Sequence, residues 1–88
     1  MSGKLRLRNQ ALEWREIEGE VVAVDTRKAI YMAINHTGAV LWPALAEGAT
    51  REELVERLTK SYEVDRGAAE GDVDAFLEML EEQDLLER

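Results

Sequence analysis

With 88 residues, no cysteine and a formal net charge of −8, the chain suffices for one domain with one modest core, and it excludes disulfide frameworks, thiol nucleophiles and zinc–thiolate sites. The charge is unevenly placed: residues 1–62 hold nine acids and nine bases, whereas residues 63–88 hold ten acids against Arg66 and Arg88. The imbalance therefore belongs to the last 26 residues, which repel nucleic acid and attract a cationic partner as far as screening at cellular salt allows.

Residues 1–11 carry Lys4, Arg6 and Arg8 without an apolar run, which predicts a flexible basic N-terminus rather than a signal peptide or membrane anchor. A folded domain over 12–88 follows. No later stretch approaches the roughly 18–20 apolar residues of a membrane span, and the missing disulfides fit a cytoplasmic location.

From Leu12 to Ile34 the β-branched and aromatic residues Val21, Val22, Val24, Ile30, Tyr31 and Ile34 predict three short strands, near Leu12–Glu18, Val21–Asp25 and Ala29–Ile34. Gly19 serves the first reversal and Asp25-Thr26-Arg27-Lys28 the second, and connections this short make an antiparallel meander. The third strand is then left at an edge. It carries no charge, placing Ile30, Met32 and Ile34 on one side and Tyr31 and Ala33 on the other. Soluble proteins normally blunt such an edge, so a helix or a visiting peptide is expected to cover it.

A first helix is capped by Asn35 or Thr37, presents Val40, Leu41, Trp42 and Leu45, and ends at Gly48; Pro43 predicts that it is short or bent. Thr50 and Glu53 form a capping box for a second helix with Leu54, Val55, Leu58 and Tyr62 on one face. Its other side is expected to pair Glu53 with Arg57 and Glu56 with Lys60. A third helix starts after Asp65 and runs to about Gln83, with Val73, Phe76, Leu77 and Leu80 as its core stripe. Beside that stripe, Ala69, Asp72, Ala75, Met79 and Glu82 combine small, apolar and acidic groups that suit a groove wall.

Catalytic chemistry is hard to assemble from these residues. His36 is the single histidine and is read as a surface or capping residue; Gly38, Gly48, Gly67 and Gly71 are isolated and fit turns rather than a phosphate loop. The carboxylates of the third helix serve either as a solvated face or in recognition of a cationic peptide. Strands followed by three helices suggest a winged-helix-like α+β fold, but a recognition helix bearing Glu70, Asp72, Asp74, Glu78, Glu81 and Glu82 would meet DNA phosphates with repulsion. Trp14 and Trp42 are read as core or sheet-packing residues, and Tyr31 and Met32 as either core or peptide contacts.

From Glu16 to Leu86 several features recur in a known order. They are Gly19-Glu20-Val21-Val22-Ala23-Val24-Asp25, Tyr31 leading to Ile34-Asn35, Thr37-Gly38-Ala39 before Leu41-Trp42, Gly48-Ala49-Thr50, Tyr62-Glu63-Val64, and Asp72-Val73 with Phe76-Leu77, Leu80 and Leu85-Leu86. In these the chain resembles the PqqD-like precursor-peptide recognition elements. The resemblance implies a winged-helix-like domain, without catalytic residues, metal or cofactor, that takes up the leader of a ribosomally made peptide as a strand beside the third strand. It implies peptide contacts from Ala29, Ile30, Tyr31, Met32 and Ala33, and from Ala69, Asp72, Val73, Phe76, Met79 and Glu82 of the third helix. The Asp25-Thr26-Arg27 turn and the Thr50-Arg51-Glu52-Glu53 helix start look most like the leader-binding proteins of lasso-peptide pathways. Such proteins work with a cysteine-protease-type leader peptidase and an ATP-dependent cyclase resembling asparagine synthetase. A peptide chaperone of pyrroloquinoline quinone biosynthesis is the second reading, ahead of a winged-helix DNA-binding regulator and of a domain that only dimerises through its edge. Pro43 departs from the polar residue expected in the family and puts the shape of the first helix in question.

Overall fold

The structure is a computed structural model and describes residues 3–87. Three strands, β1 (Leu12–Ile17), β2 (Glu20–Asp25) and β3 (Ile30–Ile34), precede three helices, α1 (His36–Glu47), α2 (Arg51–Tyr62) and α3 (Arg66–Glu82). The strands form an antiparallel sheet in the order β1-β2-β3, so the expected α+β meander is present. Trp14 stands opposite Ala23 and Ala23 opposite Met32, which puts Leu12, Val21, Ala23 and Ile34 on the face turned toward the helices, where all four are buried. Among the described residues no helix is long and apolar enough to cross a membrane.

Both strand reversals follow from local chemistry. Glu18 (φ 51°) and Gly19 (φ 82°) are the two central residues between Ile17 and Glu20, the doubly positive geometry of a type I′ turn, in which glycine relieves one of the two strained positions. At the second reversal the Asp25 carboxylate accepts hydrogen bonds from the amides of Arg27 (3.0 Å) and Lys28 (3.3 Å). This turn also takes in Ala29 at φ 57°, so β3 begins at Ile30, one residue later than the sequence pattern suggests.

Asn35 caps α1 by accepting from the Gly38 amide (2.8 Å). Pro43 does not shorten this helix, which runs for 12 residues to Glu47. Proline forfeits only its own bond toward Ala39, while burial of Leu41, Trp42 and Leu45 on both sides of it holds the helix in place. The α2 capping box forms as expected, with Glu53 N to Thr50 Oγ1 at 3.1 Å and Thr50 N to Glu53 Oε1 at 2.8 Å. The two expected i,i+4 pairs do not form among the described residues. Glu53 is drawn to the cap and to Lys4 (3.8 Å), and the Arg57 guanidinium donates to the Val40 carbonyl (3.2 Å). Tyr62 is half-exposed rather than in the core, its hydroxyl donating to the His36 carbonyl (3.1 Å). Arg51 grips Asp74 with two bonds of 2.7 and 2.9 Å, and Arg66 reaches Glu52 (2.7 Å), so ion pairs join α2 to α3 at their exposed sides.

The N-terminal segment, expected to be flexible, makes backbone contacts with the rest of the domain. Leu5 exchanges backbone hydrogen bonds with Ala49 (2.7 and 2.9 Å), Leu7 donates to the Leu45 carbonyl (3.0 Å) and Arg8 to that of Leu85 (2.7 Å), while the Glu87 amide donates to Arg6 (2.7 Å). Leu7 is 3% exposed. The sequence signal is the alternation Lys4-Leu5-Arg6-Leu7-Arg8, a period-two pattern with its leucines on one side.

Trp42 is the largest fully buried side chain and makes edge-on contacts with Trp14 (centroids 6.3 Å apart) and Phe76 (6.4 Å). Trp14 itself is only partly covered, at 38% exposure, because β1 is an outer strand of the sheet. Of the glycines, Gly38 is the most closely approached: a Cβ there would stand 2.5 Å from Ile34 Cγ2 and 2.8 Å from Phe76 Cε1. Gly38→Ala is therefore expected to cost about 1–3 kcal/mol in urea unfolding by forcing β3, α1 and α3 apart. A stability within error of wild type would show that the contact relaxes freely.

Candidate functional site

With β2 central, β1 and β3 each have one free edge, and charge separates them. β1 carries Glu13, Arg15 and Glu16, which discourage pairing with another chain, whereas β3 is uncharged throughout. The direction of its free groups follows from one bond. The Thr26 amide donates to the Ala11 carbonyl (2.9 Å), continuing the β1–β2 ladder, so Val22 and Val24, of the same parity, also turn their backbone groups to β1. Val21, Ala23 and Asp25 then face β3 and occupy Ile34, Met32 and Ile30, their register partners. The amides and carbonyls of Tyr31 and Ala33 are left pointing to the open edge.

The side chains of β3 divide accordingly. Tyr31, at 77% exposure, and Ala33 stand on the outer face of the sheet; Met32 and Ile34 pack against the core on the inner face, and Ile30 is half-exposed beside them. An open depression lies between α3 and the β3–α1 junction. Asn35, Thr37 and Gly38 line one side of it, and Asp72, Ala75, Phe76 and Met79 the other. Lys28 Nζ, in the turn just before β3, donates to the Gln83 carbonyl (3.2 Å) at the end of α3, so the turn that opens β3 is tied to the C-terminal end of that helix.

Several expected contact residues lie elsewhere. Ala69 and Val73 are 0% exposed and belong to the core: Val73 stays with the core stripe that the periodicity gives it, and Ala69 of the neighbouring stripe joins it because α2 packs along α3. Ala29 sits in the turn at positive φ, outside the β3 ladder. Glu82 is exposed and outside the depression, whereas Asp72, Phe76 and Met79 line it. Asn35, Thr37, Gly38 and Ala75 complete the lining. The sequence signal for Thr37 and Gly38 is the run Thr37-Gly38-Ala39, read as a family motif and a helix start and not as part of a cleft.

The negative charge of α3 is partly spent inside the molecule. The hydrogen-bonded Arg51 guanidinium holds the Asp74 carboxyl below the usual carboxylate range, and Glu70 pairs with Arg66 (3.4 Å). Asp72, Glu78, Glu81 and Glu82 form no ion pair among the described residues. Of these, Asp72 borders the depression.

The sequence profile of Coenzyme PQQ synthesis protein D (PqqD) matches residues 20–86, from the first residue of β2 to the tail beyond α3. The chain belongs to the PqqD family. Two solved structures share the fold of this PqqD-family chain. TbiB1 in complex with the TbiA(β) leader peptide superposes with a TM-score of 0.84 at 32% identity, over 93% of this chain and 94% of that one. A lasso peptide synthetase B1 complexed with its leader peptide gives 0.81 at 28% identity, over 96% and 98%. No curated protein sequence matches.

Proposed function

We propose that the chain binds the leader segment of a ribosomally synthesised precursor peptide, in lasso-peptide biosynthesis, by taking it up as a fourth strand on β3. The observation that carries this reading is the uncharged, unpaired edge of β3 at Tyr31 and Ala33, in a fold similar to two leader-bound proteins. Backbone pairing supplies register, and the depression at Gly38, Asp72, Phe76 and Met79 takes an apolar anchor of the peptide. The chain itself performs no chemistry in this reading; it works in the cytoplasm and delivers the bound precursor to a cysteine-protease-type leader peptidase and an ATP-dependent cyclase resembling asparagine synthetase. The PqqD profile supports a second reading, a peptide chaperone in pyrroloquinoline quinone synthesis.

Asp72 and the unpaired acids of α3 favour a leader with lysine or arginine beside its anchor. Each exposed pair is worth at most about 1 kcal/mol, so charge tunes affinity while burial of the anchor decides it. The test is to find a short precursor reading frame near this chain's gene and to titrate its leader, made as a fluorescent synthetic peptide, against wild type and Asp72→Asn at low and high salt. Wild type is expected to bind, with affinity a few-fold weaker in Asp72→Asn and at high salt, and the precursor's mass should be unchanged by this chain alone. Absence of binding to the wild type would reject the reading; affinity indifferent to salt and to Asp72 would reject its electrostatic part.

A further inference from the structure

The turn that leads into β3 and the segment that leaves α3 are joined by one side chain from the N-terminal segment. Arg8 Nη2 lies 2.9 Å from Asp25 Oδ1 and donates to the Ala11 carbonyl (3.1 Å), Nη1 donates to the Asp84 carbonyl (2.8 Å) and Nε to that of Gln10 (2.8 Å). The Arg8 side chain is 10% exposed and that of Asp25 2%. Burial pushes the Asp25 carboxyl up, but Arg8 and the amides of Lys28 and Arg27 outweigh it, and the group is held ionised below its ordinary value. Asp25 stands opposite Ile30, the first residue of β3, and Asp84 lies just beyond the last turn of α3. A second link, Lys28 to the Gln83 carbonyl (3.2 Å), spans the same two segments at the surface.

Such a hub has a consequence for a groove that must admit one strand. Paired strands sit about 4.8 Å apart, so the separation of β3 from α3 tolerates little drift before either the backbone bonds or the anchor contact is lost. The planar guanidinium fork suits the task because it fixes direction as well as distance, which a lysine ammonium does not. We propose that Arg8 is a positioning residue for peptide capture: by tying Asp25 to Asp84 it sets the spacing between β3 and the C-terminal end of α3, and so the fraction of free molecules whose groove is ready for a strand. The inference rests on the leader-binding reading above. Neither Arg8 nor Lys28 lines the depression itself.

If readiness is what Arg8 controls, the apparent affinity falls in proportion to the ready fraction, and the loss lies in association rather than dissociation. The test is stopped-flow binding of the fluorescent synthetic leader to wild type, Arg8→Lys, Lys28→Met and Arg8→Met. Arg8→Lys and Lys28→Met leave a cation opposite Asp25, so these two carry the test should Arg8→Met not fold. Arg8→Lys is expected to associate about tenfold more slowly with an unchanged dissociation rate, and Lys28→Met about threefold more slowly. In the free Arg8→Lys protein the amides of Leu85 and Ile30 should exchange faster, and in the complex at the wild-type rate. Wild-type binding with association unaltered in the folded variants overturns the inference, as does faster dissociation alone, which would mark direct contact with the peptide. Failure of the wild type to bind would instead remove the leader-binding reading on which it rests.

Discussion

Tyr31→Pro is expected to weaken peptide capture roughly a hundredfold while leaving the fold intact. The Tyr31 amide points to the open edge of β3, so its loss leaves the β2–β3 ladder whole, and edge strands tolerate proline where the amide faces outward. For an incoming strand the substitution removes one donor, and the ring crowds the bonds on either side. With each bond worth about 0.5–1.5 kcal/mol net, two or three lost bonds weaken binding by roughly a hundredfold. Tyr31→Ala keeps the amide and loses only an exposed ring on the far face of the sheet, so its affinity should stay within a few-fold of wild type. Circular dichroism checks the fold and titration of the fluorescent leader checks binding. Amide exchange gives an independent reading: adding peptide should slow Tyr31 and Ala33, and leave Ile30, Met32 and Ile34 nearly unchanged. A folded Tyr31→Pro variant with wild-type affinity would eliminate strand addition.

The largest effect on stability is expected at Trp42. Its ring is fully buried between Trp14 and Phe76, and truncation to alanine removes both edge-on contacts and leaves a cavity at the junction of sheet and helices. Substitutions of this kind cost about 3–5 kcal/mol, against a total of about 5–15 kcal/mol for ordinary domains, and a small chain lies toward the low end. Thermal unfolding of Trp42→Ala should therefore occur at least about 15 °C lower. Trp42→Phe should fare much better, losing under about 1.5 kcal/mol. The indole Nε1 has no hydrogen-bond partner among the described residues, so deleting that buried donor offsets part of the cavity cost. A Trp42→Ala variant within 1 kcal/mol of wild type, measured by urea titration, would show that the Trp14–Trp42–Phe76 stack does not organise the core.

The sheet and helices were legible in the sequence where local chemistry decides them. The β-branched runs of β2 and β3, the Thr50–Glu53 capping box and the caps at Asn35 and Asp65 each satisfy their backbone groups within a few residues, so no distant partner is needed to read them. The uncharged edge of β3 was legible for the same reason, since a meander with short turns admits one strand order. The PqqD-like motifs from Gly19 to Leu86 likewise pointed to the family that the profile match establishes.

Contacts between segments far apart in the chain needed the tertiary structure. Whether Ala69 lines a groove or joins Val73 in the core depends on how α2 rotates against α3, and helical periodicity gives a stripe without its width. Arg57 and Glu53 sit at helix-pairing distance in sequence, yet the Val40 carbonyl and the Thr50 cap compete for them and win, because backbone groups fixed by a helix hold their geometry better than two flexible exposed chains hold each other. Arg8 shows the limit most clearly. Composition made it one of three bases in a tail, and only the fold brings its guanidinium to Asp25 and Asp84, 17 and 76 residues away in sequence, because the alternating leucines before it dock that segment between Ala49 and Leu85.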